Sequence, residues 1–278
     1  TSYEDPVETF DVNVMGTVQV LEAARRCDSV QALIAVTSDK SYKNQNWVWG
    51  YRETDELGGH DPYSASKACA EHVISCYMGK SFQTTANRGK NLPIASVRAG
   101  NVIGGGDWAV NRIIPDAMRA ISSNQDIVIR SPNATRPWQH VLEPLSGYLW
   151  LGSLLANNDE RYASEWNFGP LDTEIWTVKQ IVEAIYERWP TQHSKLKIEE
   201  DHSGAESQLL RLDCAKAHHS LDWHALWSVP ETLDNIVEWY KHYYENPEAD
   251  MYPILIRQIE RYTASAQQQG LKWTSATS

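Results

Sequence analysis

A chain of 278 residues with 42% hydrophobic and 22% charged residues has an ordinary globular composition, long enough for one large domain or two small ones. Its net charge of −11 argues against a general nucleic-acid surface, so an anionic ligand would need a local arginine cluster. No run of about 18 or more apolar residues suggests a membrane span, and no signal peptide opens the chain. Cys27, Cys69, Cys76 and Cys214 lie far apart with no C-x-x-C pair, which reads as reduced thiols in a cytoplasmic protein. Most of the twelve tryptophans are expected in the core.

The first segment, "TSYEDPVETF", lacks an initiator methionine and turns helical almost at once, so the chain is expected to start inside a domain. Pro6 suits a first turn, and Val7, Phe10, Val14, Val18 and Leu21 recur at helical spacing over 6–26. "QALIAVT", 31–37, reads as a strand buried on both faces of a parallel sheet. A polar, aromatic loop follows over 43–61, then a helix from Pro62 to about Met78 with Ala70, Val73, Ile74 and Tyr77 inward. "LPIASVRAG", 92–100, is a second buried strand, and the α-β-α-β order predicts an α/β fold with a doubly wound parallel sheet. Beyond Gly100, "NVIGGGDW" reads as a flexible loop and 111–122 as a helix. "DIVIR" is a short strand, and "TRPWQHVLEPLSGYLWLGSLLA" runs from a loop into a helix. "WNFGP", 166–170, is a strand expected to return to the sheet. A helix over 177–189, a strand "LKIEE" and a helix starting at Pro230 come next, and 251–278 reads as a polar tail. The expected organisation is therefore a sheet domain over 1–100, a mainly ligand-binding part over 101–250, and the tail.

Two features carry chemistry. In "DPYSASKACAE", Tyr63 and Lys67 stand four apart on one helix face, where an ammonium lowers the pKa of a phenol and makes it a general base. Alone, Tyr-x-x-x-Lys is a frequent chance pair on an exposed turn. Here it lies one loop after a strand whose end reads "TSDKSY", with Thr37, Ser38, Asp39 and Lys40. In parallel sheets ligands bind beyond the carboxyl ends of the strands, so the two features are expected to be neighbours. The pair Asp39 and Lys40 reads either as an ion pair closing the strand or as an acid and a base.

A hydroxyl residue at a strand end followed by "YSASK" resembles the extended short-chain dehydrogenase/reductase superfamily. "NVMGTVQVLEAA" resembles the helix before its catalytic strand, and "VRAGNVIGGGD" its next strand and substrate loop. "TSDKSY", "RAGNVIGGGDW", "RIIPD", "RPWQHVLEPLSGYL", "WNFGP" and "VEWY" together resemble the CDP-glucose 4,6-dehydratases, over nearly the whole chain. The related dTDP-glucose dehydratases carry Asp-Glu at the position of Asp39-Lys40. That family's glycine-rich dinucleotide loop is absent from this sequence. The glycines at 104–106 do not replace it, because their spacing is not G-x-G-x-x-G.

The resemblance implies a Rossmann-like sheet lacking its N-terminal half, NAD as cofactor, and a lyase that converts CDP-glucose to CDP-4-keto-6-deoxy-glucose for deoxysugars of surface polysaccharide such as O-antigen. It implies that Tyr63 takes the 4-hydroxyl proton, that Lys67 holds the nicotinamide ribose, and that Thr37 also lies at the cofactor. Ser38 would hydrogen-bond the reacting oxygen, Asp39 would protonate the departing C6 hydroxyl, and Lys40 would take the C5 proton. Asn13 would support the tyrosine. Arg112 and Arg136 are candidates for the diphosphate, since arginine offers bidentate phosphate recognition. Asn101, Asp107 and Trp108 would shape the substrate pocket. Trp138 and His140 read as structural, His218 and His219 as surface residues, and no metal spacing is present. A homodimer or homotetramer built through helices 6–26 and 62–78 is implied. Another nucleotide-sugar dehydratase or epimerase, or a non-catalytic nucleotide-binding relative, remains open on the sequence.

Overall fold

The computed structural model describes residues 2–86, 91–157, 159–170, 175–190, 195–199 and 210–275. In chain order the elements are α1 (Pro6–Phe10), a π turn (Asp11–Met15), α2 (Gly16–Arg26), β1 (Leu33–Val36), a 3-10 turn (Asp39–Ser41), α3 (Pro62–Met78) and α4 (Lys80–Ala86). Next come β2 (Ile94–Ala99), β3 (Val102–Ile103), α5 (Ile113–Ser122), β4 (Ile127–Ile129), β5 (Thr135–Arg136), β6 (Gln139–His140) and α6 (Leu142–Ala156). The chain continues with β7 (Glu165–Phe168), β8 (Trp176–Thr177), α7 (Val178–Arg188), β9 (Leu196–Ile198), α8 (Ala215–Leu221), α9 (Val229–Glu245) and α10 (Tyr252–Gln268). They form two compact units: Thr1–Gly100 with Leu145–Gly169 and Leu210–Trp223, and Asn101–Pro144 with Pro170–Leu209 and His224–Ser278. No helix among the described residues is long and apolar enough to cross a membrane.

Unit 1 is built on a parallel sheet of order β1-β2-β7. β2 runs Ile-Ala-Ser-Val-Arg-Ala with every residue buried, as a central parallel strand covered on both faces should be. β1 differs from expectation. Among the described strands it has one neighbour, so it is an edge, and Val36 is exposed. Leu21, Ile74, Leu92 and Ile94 form a small core between the helices and the sheet.

The helix expected over 6–26 forms, capped by the Asp5 carboxylate on the Glu8 N–H, but a π turn interrupts it. A π turn holds one more residue than an α turn, and the extra residue rotates the rest of the helix by about 100°. The apolar stripe is therefore split. Leu21 is buried, while Val7 is 78% exposed and Phe10 also faces out, contrary to the single inward face expected.

Unit 2 contains the parallel pairs β3-β6 and β4-β9 and the antiparallel pair β5-β8. Its core gathers Met118, Ile127, Trp138, Ile185, Leu233 and Tyr240. A capping box, with Ser228 and Glu231 each bonding the other's backbone, starts α9. The expected polar tail is instead the helix α10, which buries Ile254, Gln258, Tyr262 and Ala266. One inward residue per turn, one of them a glutamine, leaves little apolar signal in the sequence. The Gln258 amide donates to the Asn235 carbonyl at 2.8 Å, so its burial leaves that donor satisfied. Residues 276–278 of the expected tail lie outside the described residues.

Glu143 accepts bonds from the Leu226 and Trp227 N–H groups at 2.9 and 2.8 Å and from the Tyr262 hydroxyl at 2.7 Å. Burial nonetheless pushes its pKa up to about 7. Because the folded pKa is raised, this carboxyl stabilises the fold fully below its unfolded value near 4.5, and that contribution is lost as pH rises through about 7. Unfolding by denaturant is expected to become easier by on the order of 3 kcal/mol between those limits. The Glu143→Gln variant should lack that component, and an identical pH slope in both proteins would refute it.

Candidate active site

Pairing with β2 carries the chain one residue past β1, where the Thr37 N–H donates to the Val97 carbonyl at 2.9 Å. The next residue, Ser38, is extended and caps the 3-10 turn. Its Oγ accepts from the Lys40 N–H and donates to Asp39 Oδ1, each at 3.1 Å. Ser41 Oγ donates to the Ser38 carbonyl at 2.7 Å. Ser38, Asp39 and Ser41 are buried and Lys40 is half-buried. The acid and the base thus sit on one hydrogen-bonded turn at the carboxyl end of a parallel strand. Among the described residues no ion pair joins them to each other.

The loop returns from this turn to α3 by close packing. The Gly58 N–H donates to the Ser41 carbonyl at 2.8 Å. At Gly59 a Cβ would fall 2.2 Å from Ser64 Cβ and 2.9 Å from the Ala65 nitrogen, inside the first turn of α3. Only a glycine fits there. The Gly59→Ala variant is expected to lose about 1–3 kcal/mol of stability by overpacking, read as a drop in denaturation midpoint, and to displace Tyr63. The start of α3 is set by Asp61, whose carboxylate accepts from the Ser64 N–H and hydroxyl at 3.0 and 2.6 Å, and by Pro62 in the first turn.

Tyr63 lies at this helix start and is 39% exposed. Lys67 comes one turn later, half-buried, with its Nζ 5.8 Å from the Tyr63 ring centroid. Burial lowers the Lys67 pKa, and the Glu71 carboxylate opposes that fall. Among the described residues no hydrogen bond or ion pair engages its ammonium. The two expected partners of the oxidation step are therefore adjacent, one reachable from solvent and one a cation with donors to offer. Asn13, in the π turn, donates to Ser66 Oγ at 2.9 Å, and that hydroxyl donates to the Tyr63 carbonyl at 2.7 Å. Asn13 thus reaches the Tyr63 backbone through Ser66.

The Thr37 hydroxyl donates to the Glu71 carboxylate, an inward contact. Sequence reasoning missed Glu71 and its partner Arg98, both buried, joined by Nη2 to Oε2 at 2.7 Å. A signal existed. An arginine inside the strand "IASVRAG", buried on both faces, demands an anion, and Glu71 stands four residues after Lys67 on the same helix face.

The expected substrate residues all belong to unit 2. Asp107 and Arg112 are brought together in a 3.4 Å ion pair, with Arg112 largely exposed. The Trp108 ring is partly exposed and packs among Trp239, Tyr240, Tyr243 and Tyr244. Asn101 is half-buried and its carbonyl accepts from the Gln139 N–H at 3.1 Å. Arg136 is buried, with Nη1 donating to the Thr135 carbonyl at 2.7 Å. The loop expected to be flexible at 104–106 is packed: a Cβ on Gly105 would lie 2.2 Å from Trp239 Cγ, and Gly106 has φ of +79°. Trp138 and His140 are buried, and His218 and His219 are exposed on α8. Burial holds His140 down at about 4, so it is neutral at ordinary pH. All four cysteines are free thiols. Among the described residues no cluster of three or more His, Cys, Asp or Glu is placed to hold a metal.

The family model described as GDP-mannose 4,6 dehydratase matches residues 1–236. The chain belongs to this family. It is 45% identical over 264 residues to the CDP-glucose 4,6-dehydratase of Salmonella typhimurium, covering 95% of this chain and 73% of that relative. It is 26% identical to a putative UDP-glucose 4-epimerase of Methanocaldococcus jannaschii, covering 87% and 73%. The structure of DesIV, a dTDP-glucose 4,6-dehydratase from Streptomyces venezuelae with NAD and TYD bound, matches with a TM-score of 0.72 at 21% identity, over 88% of this chain and 69% of that one. The epimerase Mth375 of Methanothermobacter thermautotrophicus matches with a TM-score of 0.74 at 21% identity, covering 88% and 69%. These structures show the fold, a Rossmann-like α/β architecture with a parallel sheet, as the sequence led one to expect. Membership makes the chain an enzyme of the nucleotide-sugar 4,6-dehydratase type, a hydro-lyase.

Proposed function

We propose that this chain catalyses the NAD-dependent dehydration of CDP-D-glucose to CDP-4-keto-6-deoxy-D-glucose, a precursor of deoxysugars for surface polysaccharide, in the cytoplasm. The observation that carries the reading is the capped Ser38-Asp39-Lys40 turn, with Ser38 and Asp39 buried, at a parallel strand end in the unit that also holds Tyr63 beside Lys67. The 45% identity to a CDP-glucose 4,6-dehydratase supports the choice of nucleotide.

The donor set of Lys67, a half-buried ammonium with no hydrogen bond or ion pair among the described residues, fits the ribose hydroxyls of NAD. When bound, NAD would supply the hydride acceptor for C4 and the hydride donor for C6. Tyr63, as phenolate, takes the proton of the 4-hydroxyl while Ser38 hydrogen-bonds the same oxygen. Lys67 stabilises the phenolate through its charge. With a ketone at C4 the C5 proton becomes acidic, and Lys40 takes it. Asp39, holding a proton, gives it to the departing C6 hydroxyl, so water leaves and the C5–C6 double bond forms. Arg136 and Arg112 would engage the diphosphate, with Asn101, Asp107 and Trp108 lining the sugar-nucleotide pocket. A homodimer or homotetramer built through helices 6–26 and 62–78 is part of the reading, supported by the exposed Val7, Val12, Met15 and Val20.

The test is incubation of the protein with NAD and, separately, CDP-glucose, dTDP-glucose, UDP-glucose and GDP-mannose, followed by NMR of the product. A new C6 methyl with CDP-glucose is the expected result. Turnover of another nucleotide sugar with none of CDP-glucose would overturn the substrate. C4 inversion without a C6 methyl would instead make it an epimerase.

A further inference from the structure

We propose that the Glu71–Arg98 ion pair is a positioning device for the catalytic groups of unit 1, clamping the Ser38–Ser41 turn at both ends and tying it to the helix that carries Tyr63 and Lys67. The inference rests on the roles given above to those residues, but its geometry stands without them.

Glu71 is 1% exposed and lies one turn beyond Lys67 on α3. Its carboxylate accepts from four donors: Thr37 Oγ1, Ser96 Oγ at 2.9 Å, and Arg98 Nε and Nη2 at 2.8 and 2.7 Å. Thr37 is the residue before Ser38. Arg98, equally buried, extends its remaining nitrogen, Nη1, to the Tyr42 hydroxyl at 2.7 Å and the Glu53 carbonyl at 3.1 Å. Tyr42 is the residue after Ser41, and its hydroxyl donates to Asn167 Oδ1 on β7 at 2.9 Å. One ion pair therefore holds the chain on both sides of the acid-base turn, with α3 at one pole and the sheet at the other.

Stability alone does not call for this arrangement. Two buried charges lose their hydration, and a well-packed apolar pair of similar volume is commonly as stable or more so. What an apolar pair cannot supply is direction. A bidentate fork and two further hydroxyl donors to the same carboxylate define where Thr37 and Tyr42 sit relative to α3 to within a hydrogen-bond length. The Glu71 charge has a second effect, since it opposes the loss of the Lys67 proton that burial favours.

The decisive variant is Tyr42→Phe, which keeps the ion pair and the ring stacked on Tyr51 and removes only the hydroxyl contacts at one end. Backbone hydrogen exchange of residues 38–42 is expected to speed up about tenfold, with amides away from the turn that exchange by local opening unchanged and the melting temperature lower by only a few degrees. This readout needs no substrate, so it decides the inference even if CDP-glucose is not turned over. With active protein, kcat is expected to fall about tenfold with KM within about twofold, and the rate effect of deuterium at C5 should grow relative to that at C4. A merely structural tyrosine would lower stability and leave that ratio alone. As a second arm, the double variant Glu71→Leu with Arg98→Met removes both charges together. A folded double variant should show the same faster exchange at 38–42. Unchanged exchange there in Tyr42→Phe, or wild-type exchange and kcat in a folded double variant, would overturn the proposal.

Discussion

Replacing Tyr63 with phenylalanine is expected to lower turnover of the sugar nucleotide by about 10²–10⁴-fold, the range a positioned general base contributes. The ring and its contact with the Lys67 ammonium remain in Tyr63→Phe, and the cap of α3 by Asp61 does not involve the phenol. The loss should therefore appear in kcat with little change in KM or melting temperature. The pH profile adds a sign. With Tyr63 as base, the wild-type rate rises with pH as the phenol loses its proton, and the Lys67 charge moves that rise to lower pH. In Tyr63→Phe the rising limb attributed to this group should vanish from the residual rate, whereas in Lys67→Met it should move to higher pH. The measurement is single-turnover C4 oxidation across pH. A Phe variant that kept more than a tenth of wild-type turnover would remove Tyr63 from the role.

The range of the forces involved explains why the elements that carry the candidate residues of unit 1 were readable and the contacts around them were not. The helix α3 announces itself locally: Asp61 caps it, Pro62 suits its first turn, and Tyr63 and Lys67 share a face by spacing alone. The strand end carrying "TSDKSY" is likewise local. The π turn over Asp11–Met15 has no such sign, since "DVNVM" contains neither proline nor glycine, and its effect is to turn Val7 and Phe10 outward. The return of β7 to the sheet was expected, but its pairing with β2 joins residues about 70 positions apart in sequence, Ser96 with Glu165, and periodicity says nothing about partners at that range. Arg98 falls between these cases. Its charge inside a buried strand was visible, but the identity of its anion required α3 to be laid on β2. The α10 helix was hidden for a different reason: a buried glutamine and one apolar contact per turn look polar when averaged along the chain.

The elimination half of the site has its own expected result. In Asp39→Asn the side chain keeps its size and an oxygen that can still accept the Ser38 hydroxyl, so the capped turn should survive. What is lost is the proton that must accompany the C6 hydroxyl. Without a general acid the leaving group is hydroxide, and the overall rate is expected to fall about 10²–10⁴-fold, equivalent to roughly 3–5 kcal/mol of barrier. C4 oxidation, which uses Tyr63 and Ser38, should change by less than about tenfold. A rapid-quench experiment with CDP-glucose should then find the 4-keto hexose accumulating before any C6 methyl forms. Lys40 separates from Asp39 in the same experiment. If Lys40 takes the C5 proton, the Asp39→Asn protein should still exchange C5 hydrogen with deuterated solvent, while Lys40→Met should not. Equal loss of oxidation and elimination in Asp39→Asn would return this carboxyl to a structural part in the turn. Retained C5 exchange in Lys40→Met would assign the proton abstraction to another group.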